Sequence, residues 1–314
     1  MFPKIKLVIL SIAVILTTIC VLFLGKNNYT GYSWEVPKKK LDFGVIDTKE
    51  EFNKAQNVNL ESVKFGWNTT KEKIYESLIA IYDKKRIPVV TVEPEFSFNE
   101  DKNSNIRVLN QTRYDQVMIN FCSSLNVDNK QLYINFAPSP NNQRDNIWST
   151  SDAGGYLFLY EKFVDNCKAV SKNYSYVWTA DPAGDFLKYK PVEEKYDIVG
   201  LTIYSDEVVD KLEYTFNNLF DPKYELLKLL KKNIMITQLG SAGTLEYQTK
   251  WMNNALVAIK NPNTQRYLRY VIYDSENWNT PLKLKNDPAK LEVPKEIDYK
   301  KYKIPVELFN TIYD

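Results

Sequence analysis

The sequence predicts an α/β chain folded as one (β/α)8 TIM barrel, preceded by one N-terminal transmembrane helix. Three observations carry this expectation. Eight short runs rich in β-branched and aromatic residues alternate with segments of helical periodicity, which is the pattern of a parallel sheet with helical crossovers. The chain of 314 residues leaves, after its first apolar stretch, room for one barrel of ~250 residues. No G-x-G-x-x-G and no P-loop is present, so the nucleotide-binding open sheets lose their signature.

The first element is the apolar run at residues 7–24, with 18 residues, no charge, and Lys4 and Lys6 ahead of it. As a helix it reaches ~27 Å, enough for the hydrocarbon core of a bilayer. No small-residue cleavage site follows it, and Cys20 sits behind Thr18 and Ile19, a poor lipoprotein context. We therefore read an uncleaved signal anchor, with a cleaved signal peptide as the competing reading. The two lysines favour a cytoplasmic N-terminus, which puts the rest of the chain outside, at the cell surface or in the periplasm. The domain division is then 1–25 for the anchor, 26–40 for a polar linker, and 41–314 for the barrel.

The strands are expected at 41–47, 61–67, 87–93, 132–137, 175–179, 197–204, 233–239 and 269–275. In the segment 70–84, Ile74, Leu78, Ile81 and Tyr82 fall on one helical face, and Thr69-Thr70-Lys71-Glu72 offers a capping box. A second helix over 157–171 carries Tyr160, Phe163, Val164, Cys167 and Val170 at helical spacing. Asp221-Pro222 reads as a cap followed by a first-turn proline, opening a helix that ends in Lys231-Lys232. Tyr247, Trp251, Ala255, Ala258 and Ile259 define the next. Cys122 and Cys167 fall in helices expected to be consecutive on the outer ring; a bridge and two buried thiols both stay open.

Composition excludes several function classes. There is no histidine, which removes Ser-His-Asp and Cys-His chemistry and every imidazole metal site. Acid–base chemistry must use carboxylates, Tyr, Lys or Cys. Neither a metal nor another cofactor is implied. Lys and Arg number 41 against 39 acidic residues and are interspersed, which is not the footprint of a nucleic-acid binder.

In such a barrel, function collects where strands end and βα loops begin. Those positions hold Asp47, Trp67, Glu93 with Glu95, Pro138-Ser139-Pro140-Asn141-Asn142, Trp178 with Asp181, Tyr204 with Asp206, Gln238, and Asp274, Glu276 and Trp278. This rim is aromatic, acidic and rich in amides. Aromatic faces stack on sugar rings, and carboxylates and amides bind hydroxyls, so a carbohydrate cleft is expected, with a polysaccharide or oligosaccharide as partner. Each residue also has a plain structural reading: Trp67 and Trp178 as plugs of the barrel, and Glu93 as a carboxylate paired with a rim Lys or Arg.

Several of these segments resemble glycoside hydrolase family 26, the β-mannanase and β-glucanase group of the large (β/α)8 glycosidase clan. IPVVTVEPE resembles its third strand, SYVWTADP its fifth, YDIVGLTIYSD its sixth, IMITQLGSAG its seventh and YVIYDSENWN its eighth. The likeness spans residues 41–285. It implies that Tyr204 is the tyrosine supporting the nucleophile and Trp278 the sugar-platform tryptophan. It also places Gln238 at the seat of the family's nucleophilic glutamate and Ser139 at that of its acid/base glutamate. Retaining hydrolysis needs two carboxyl groups ~5 Å apart, and an amide and a hydroxyl supply neither.

Three functions follow as expectations. The leading one is a membrane-tethered, catalytically degenerate barrel that keeps a saccharide cleft and serves a polysaccharide synthase or export complex, with Trp67, Glu93, Glu95, Asn141, Trp178, Asp181, Tyr204, Gln238 and Trp278 in contact with the sugar. The second is an active glycosidase or transglycosidase using other carboxylates, Glu93 and Asp181 first among them, across the wider ~6.5–9.5 Å gap that inversion tolerates. The third is a structural or protein-binding barrel.

Overall fold

A computed structural model describes residues 41–50, 52–53, 55, 57–94, 114–142, 148–207, 215–260 and 265–274. Eight parallel strands close in sequence order into a barrel: β1 (Asp42–Ile46), β2 (Val58–Gly66), β3 (Ile87–Glu93), β4 (Leu132–Phe136), β5 (Tyr174–Thr179), β6 (Ile198–Asp206), β7 (Asn233–Ala242) and β8 (Leu268–Asp274). Each expected strand is present. β6 and β7 run further than expected because their mouth ends pair with each other, Ser205 with Ser241 and Asp206 with Ala242.

The described helices are α1 (Lys71–Asp83), α2 (Asp115–Ser124), α3 (Ala153–Val170), α4 (Phe216–Leu227) and α5 (Leu245–Lys260). Between β5 and β6 the described chain makes only two short 3-10 turns, Phe186–Tyr189 and Glu193–Lys195, and no helix is described between β1 and β2. At α1 the Thr70 hydroxyl accepts from the Lys73 amide, so the cap stands one residue later than the expected box, and residue 73 is a lysine that cannot reciprocate. At α4 the expectation needs correcting. Thr215 is the cap, accepting from the Asn218 amide, and Asp221-Pro222 lie inside the helix. The buried stripe Phe216, Phe220, Tyr224 and Leu227 drives the helix a turn and a half earlier than the proline suggested. Pro222 is exposed, so water can serve the carbonyl that its missing N–H leaves free.

Strand alternation sorts the side chains into two layers. Leu60, Val89, Tyr133, Val177, Ile198, Met235 and Ile272 fill the inside of the barrel as one apolar layer. The opposite parity, including Phe65, Phe136, Trp178, Val199 and Ile236, packs under the helices in the larger core. The inner layer is tight at Gly44, where a Cβ would lie 2.5 Å from Ile272 Cδ1 and 2.7 Å from Leu60 Cβ. Gly44→Ala should therefore overpack the barrel and lower stability by about 1–3 kcal/mol in urea unfolding. An unchanged midpoint would show that this layer is looser than drawn.

Cys122 in α2 and Cys167 in α3 form a disulfide, with Cα atoms 5.0 Å apart, which settles the pairing left open above. Among the described residues no helix is long and apolar enough to cross a membrane. The expected anchor at 7–24 and the linker at 26–40 lie outside the described residues.

Candidate functional site

The inward side chains change character one layer above the apolar floor. Where Val89, Tyr133, Val177 and Met235 end, the same parity continues with Thr91, Asn135, Thr179 and Thr237. Small polar residues replace the bulky branched ones that usually fill a barrel, and space opens. A cavity of about 580 Å3 spans this space and continues between β2 and α1; it is lined among others by Ser62, Lys64, Thr91, Glu93, Asn135, Pro138, Ser139, Thr202, Thr237 and Gln238, and on the α1 side by Glu61, Val63, Ser77, Ala80, Ile81 and Lys84. That size is in the usual range for small-ligand sites.

Gln238 reaches this cavity through a β-bulge. Register between β6 and β7 runs Leu201 with Ile236 and then Thr202 with Gln238, so Thr237 is the extra residue. Without it Gln238 would keep the outward parity of Ile236; with it Thr237 and Gln238 both line the cavity. The Thr237 hydroxyl donates to the Leu201 carbonyl at 3.2 Å, which holds the bulge.

Ser139 is brought in by a strained turn after β4. Ala137 (φ 44°) and Ser139 (φ 56°) are both left-handed, a conformation that costs a non-glycine residue roughly 1–2 kcal/mol. The Ser139 amide donates to the Thr179 carbonyl at 2.8 Å, and the Trp148 indole donates to the Pro138 carbonyl at 2.8 Å. These bonds hold the turn where Pro138 and Ser139 face the cavity.

The carboxylates expected as catalytic substitutes have cationic partners. Glu93 at the end of β3 accepts from the Lys64 ammonium at 2.7 Å, the rim pairing expected from its position. Asp181 is 3.1 Å from the Lys223 ammonium on α4 and is not part of the cavity lining. Asn141 spends its amide on the same loop, donating to the Asp181 carbonyl at 2.7 Å and accepting from the Asp181 amide at 3.1 Å. Asp206 and Asp274 are buried. Asp47 is buried as well, accepts from the Phe52 amide at 2.9 Å and lines the cavity with Glu61 and Lys84, beside Arg86.

The expected sugar platforms take outward positions instead. Trp178 is 0% exposed, stacked on Phe186 and tilted against Tyr196 in the core beneath the helices. Trp67 stacks on Phe136 at 5.8 Å and is also buried. Both give their faces to the core, as the plug reading has it, so stacking on a sugar would require them to leave it. Tyr204 is half-buried on β6, in register with Gly240 and on the inward parity of Thr202. Glu95, Glu276 and Trp278 lie outside the described residues.

The structure thus brings Gln238, Ser139 and Glu93 to one cavity and leaves Trp67, Asn141, Trp178, Asp181 and Tyr204 out of its lining. Sequence reasoning missed Thr91, Asn135, Thr202 and Thr237. The signal for Asn135 was available: it interrupts the otherwise apolar run LYINF at the parity of Tyr133. Among the described residues no group of three or more acidic, Cys or His side chains could hold a metal ion. What the lining can do is hydrogen-bond a polyhydroxylated ligand through hydroxyls, amides and the ion pairs Lys64–Glu93 and Lys84–Glu61.

No protein-family model and no curated protein sequence matches this chain. Among solved structures, the mannanase man26 of Bacillus subtilis superposes with a TM-score of 0.55 at 17% identity, covering 76% of this chain and 80% of that one. The modular endo-β-1,4-mannanase of Cellulomonas fimi, of glycoside hydrolase family 26, gives 0.55 at 15% identity over 75% of this chain and 65% of its own. Cel5A of Thermotoga maritima, solved with mannotriose, gives 0.52 at 12% identity over 76% and 91%. The chain therefore has the (β/α)8 fold that family 26 mannanases share, and the likeness expected from its strand motifs extends to the architecture.

Proposed function

We propose that this barrel binds a β-mannan or β-glucan type polysaccharide at its C-terminal mouth without hydrolysing it. The reading rests on one observation: Gln238 and Ser139, which the family resemblance seats where a glycosidase keeps its nucleophile and acid, face the same cavity. An amide cannot form a glycosyl ester, and a serine without a base cannot protonate a leaving oxygen. Glu93, a cavity carboxylate at the end of β3, is held by Lys64. The surrounding hydroxyls and amides keep the chemistry that recognises sugars.

In the same proposal the chain is tethered by residues 7–24 and works on the extracytoplasmic side, as an accessory to polysaccharide synthesis or export. The Cys122–Cys167 bridge supports that side of the membrane, because such bonds persist in oxidising compartments. The accessory role follows from pairing a tether with a binding cleft that lacks the reacting groups.

Calorimetric titration with mannopentaose and cellopentaose, alongside assay of new reducing ends, tests the reading. Binding without cleavage is expected. The double variant Gln238→Glu, Ser139→Glu should then gain hydrolysis at least ~100-fold above the parent, since acid–base and nucleophilic contributions are each that large. Cleavage by the unaltered protein, or no binding of either sugar, would overturn the proposal.

A further inference from the structure

We infer that Asn135 is the oriented hydrogen-bond donor at the floor of the cavity, and that Thr179 is the residue that orients it. The inference deepens the saccharide reading and rests on it. Asn135 is 2% exposed, stands two residues above the floor residue Tyr133 on β4, and lines the cavity. Its Oδ1 accepts from the Thr179 hydroxyl at 2.8 Å. The other end of the amide, Nδ2, carries two N–H donors and makes no hydrogen bond within the described residues. With Oδ1 committed to Thr179, those donors are the part of the side chain left for a ligand.

The orienting bond depends on a glycine. A Cβ at Gly200 would lie 2.1 Å from the Thr179 hydroxyl oxygen, so only glycine leaves that hydroxyl where Asn135 can reach it. Three strands therefore cooperate to fix one amide: β4 supplies it, β5 orients it and β6 makes room. A buried amide fixed in this way presents donors and no acceptor toward the cavity. It selects a ligand oxygen with free lone pairs, which on a neutral sugar is a ring hydroxyl or the ring oxygen, and it disfavours an ammonium group at the same place.

The test uses the full chain and two probes, mannopentaose and cellopentaose. Asn135→Asp keeps an oxygen for Thr179 but turns the donors into an acceptor. It should weaken binding about tenfold or more, the loss expected when a buried donor–acceptor pair is broken. Thr179→Val should also weaken binding, while Thr179→Ser, which restores the hydroxyl, should recover most of it. In the parent protein the Asn135 side-chain amide resonances should shift on adding sugar. Unaltered affinity in a folded Asn135→Asp protein, with unshifted Asn135 resonances, overturns the inference and leaves the saccharide reading standing. Failure of the parent to bind either sugar overturns both, and the two failures are told apart by the parent's own titration.

Discussion

Replacing Arg86 with methionine is expected to destabilise the barrel by about 3–5 kcal/mol, the cost of breaking a buried ion pair from one side. Arg86 precedes β3, and its side chain is 2% exposed. One guanidinium nitrogen is 2.6 Å from Glu61 Oε2 and 4.0 Å from Asp47 Oδ2, and another donates to the Phe52 carbonyl. The fork thus ties together the end of β1, the middle of β2 and the segment joining them, where no helix is described. Lys84 also reaches Glu61, at 3.0 Å, but it stands on one side only. Without Arg86, Glu61 would keep a single cation, and Asp47 would keep the Phe52 amide. Arg86→Lys should recover only part of the loss, because one ammonium cannot span three acceptors. Because Asp47 and Glu61 also line the cavity, sugar affinity should fall alongside stability. Urea unfolding of the two variants decides the matter, and a methionine variant within about 1 kcal/mol of the parent would refute the role given to this cluster.

Removing the Cys122–Cys167 bridge should cost a similar amount. The two cysteines are 45 residues apart in sequence, and closing a loop of that length restricts the unfolded chain by ~4 kcal/mol in the chain-entropy treatment. Both side chains are fully buried between α2 and α3, so alanine at both positions keeps the packing close to intact and isolates the crosslink. Cys122→Ala with Cys167→Ala is expected to lower stability by about 2–4 kcal/mol, and reducing the parent under denaturing conditions should give the same shift. Thiol titration of the unfolded parent provides the check. Two reactive thiols from this pair would remove the bridge, and with it one support for the extracytoplasmic proposal.

Much of the architecture was legible in the residues. The strands at 87–93, 132–137 and 233–239 announce themselves through runs of β-branched, aromatic and other apolar residues, and α1 through Ile74, Leu78 and Ile81 on one face. Asp221-Pro222 misled, because a strong local start signal competed with a buried stripe that begins at Phe216 and outweighs it. The site was legible only in part. Gln238 and Ser139 were singled out through the resemblance of their segments to family 26 motifs, and the structure brings both to one cavity. Trp67 and Trp178 stood out equally, yet they point the other way. A tryptophan near a strand end belongs to the mouth or to the core according to its parity, and a strand's parity cannot be read until a neighbour fixes its register.

By itself, then, the sequence determined the number and order of the strands and the absence of imidazole chemistry, and it singled out Gln238 and Ser139 for attention through a family resemblance. These depend on residue type and local periodicity, which the chain carries in itself. The tertiary structure decided which side chains meet: the bulge that turns Gln238 inward, the pairing of Glu93 with Lys64 and of Asp181 with Lys223, and the amide of Asn135 fixed by Thr179. Each of these contacts joins different elements, so it exists only once the barrel has closed and the inter-strand hydrogen bonds have set the register.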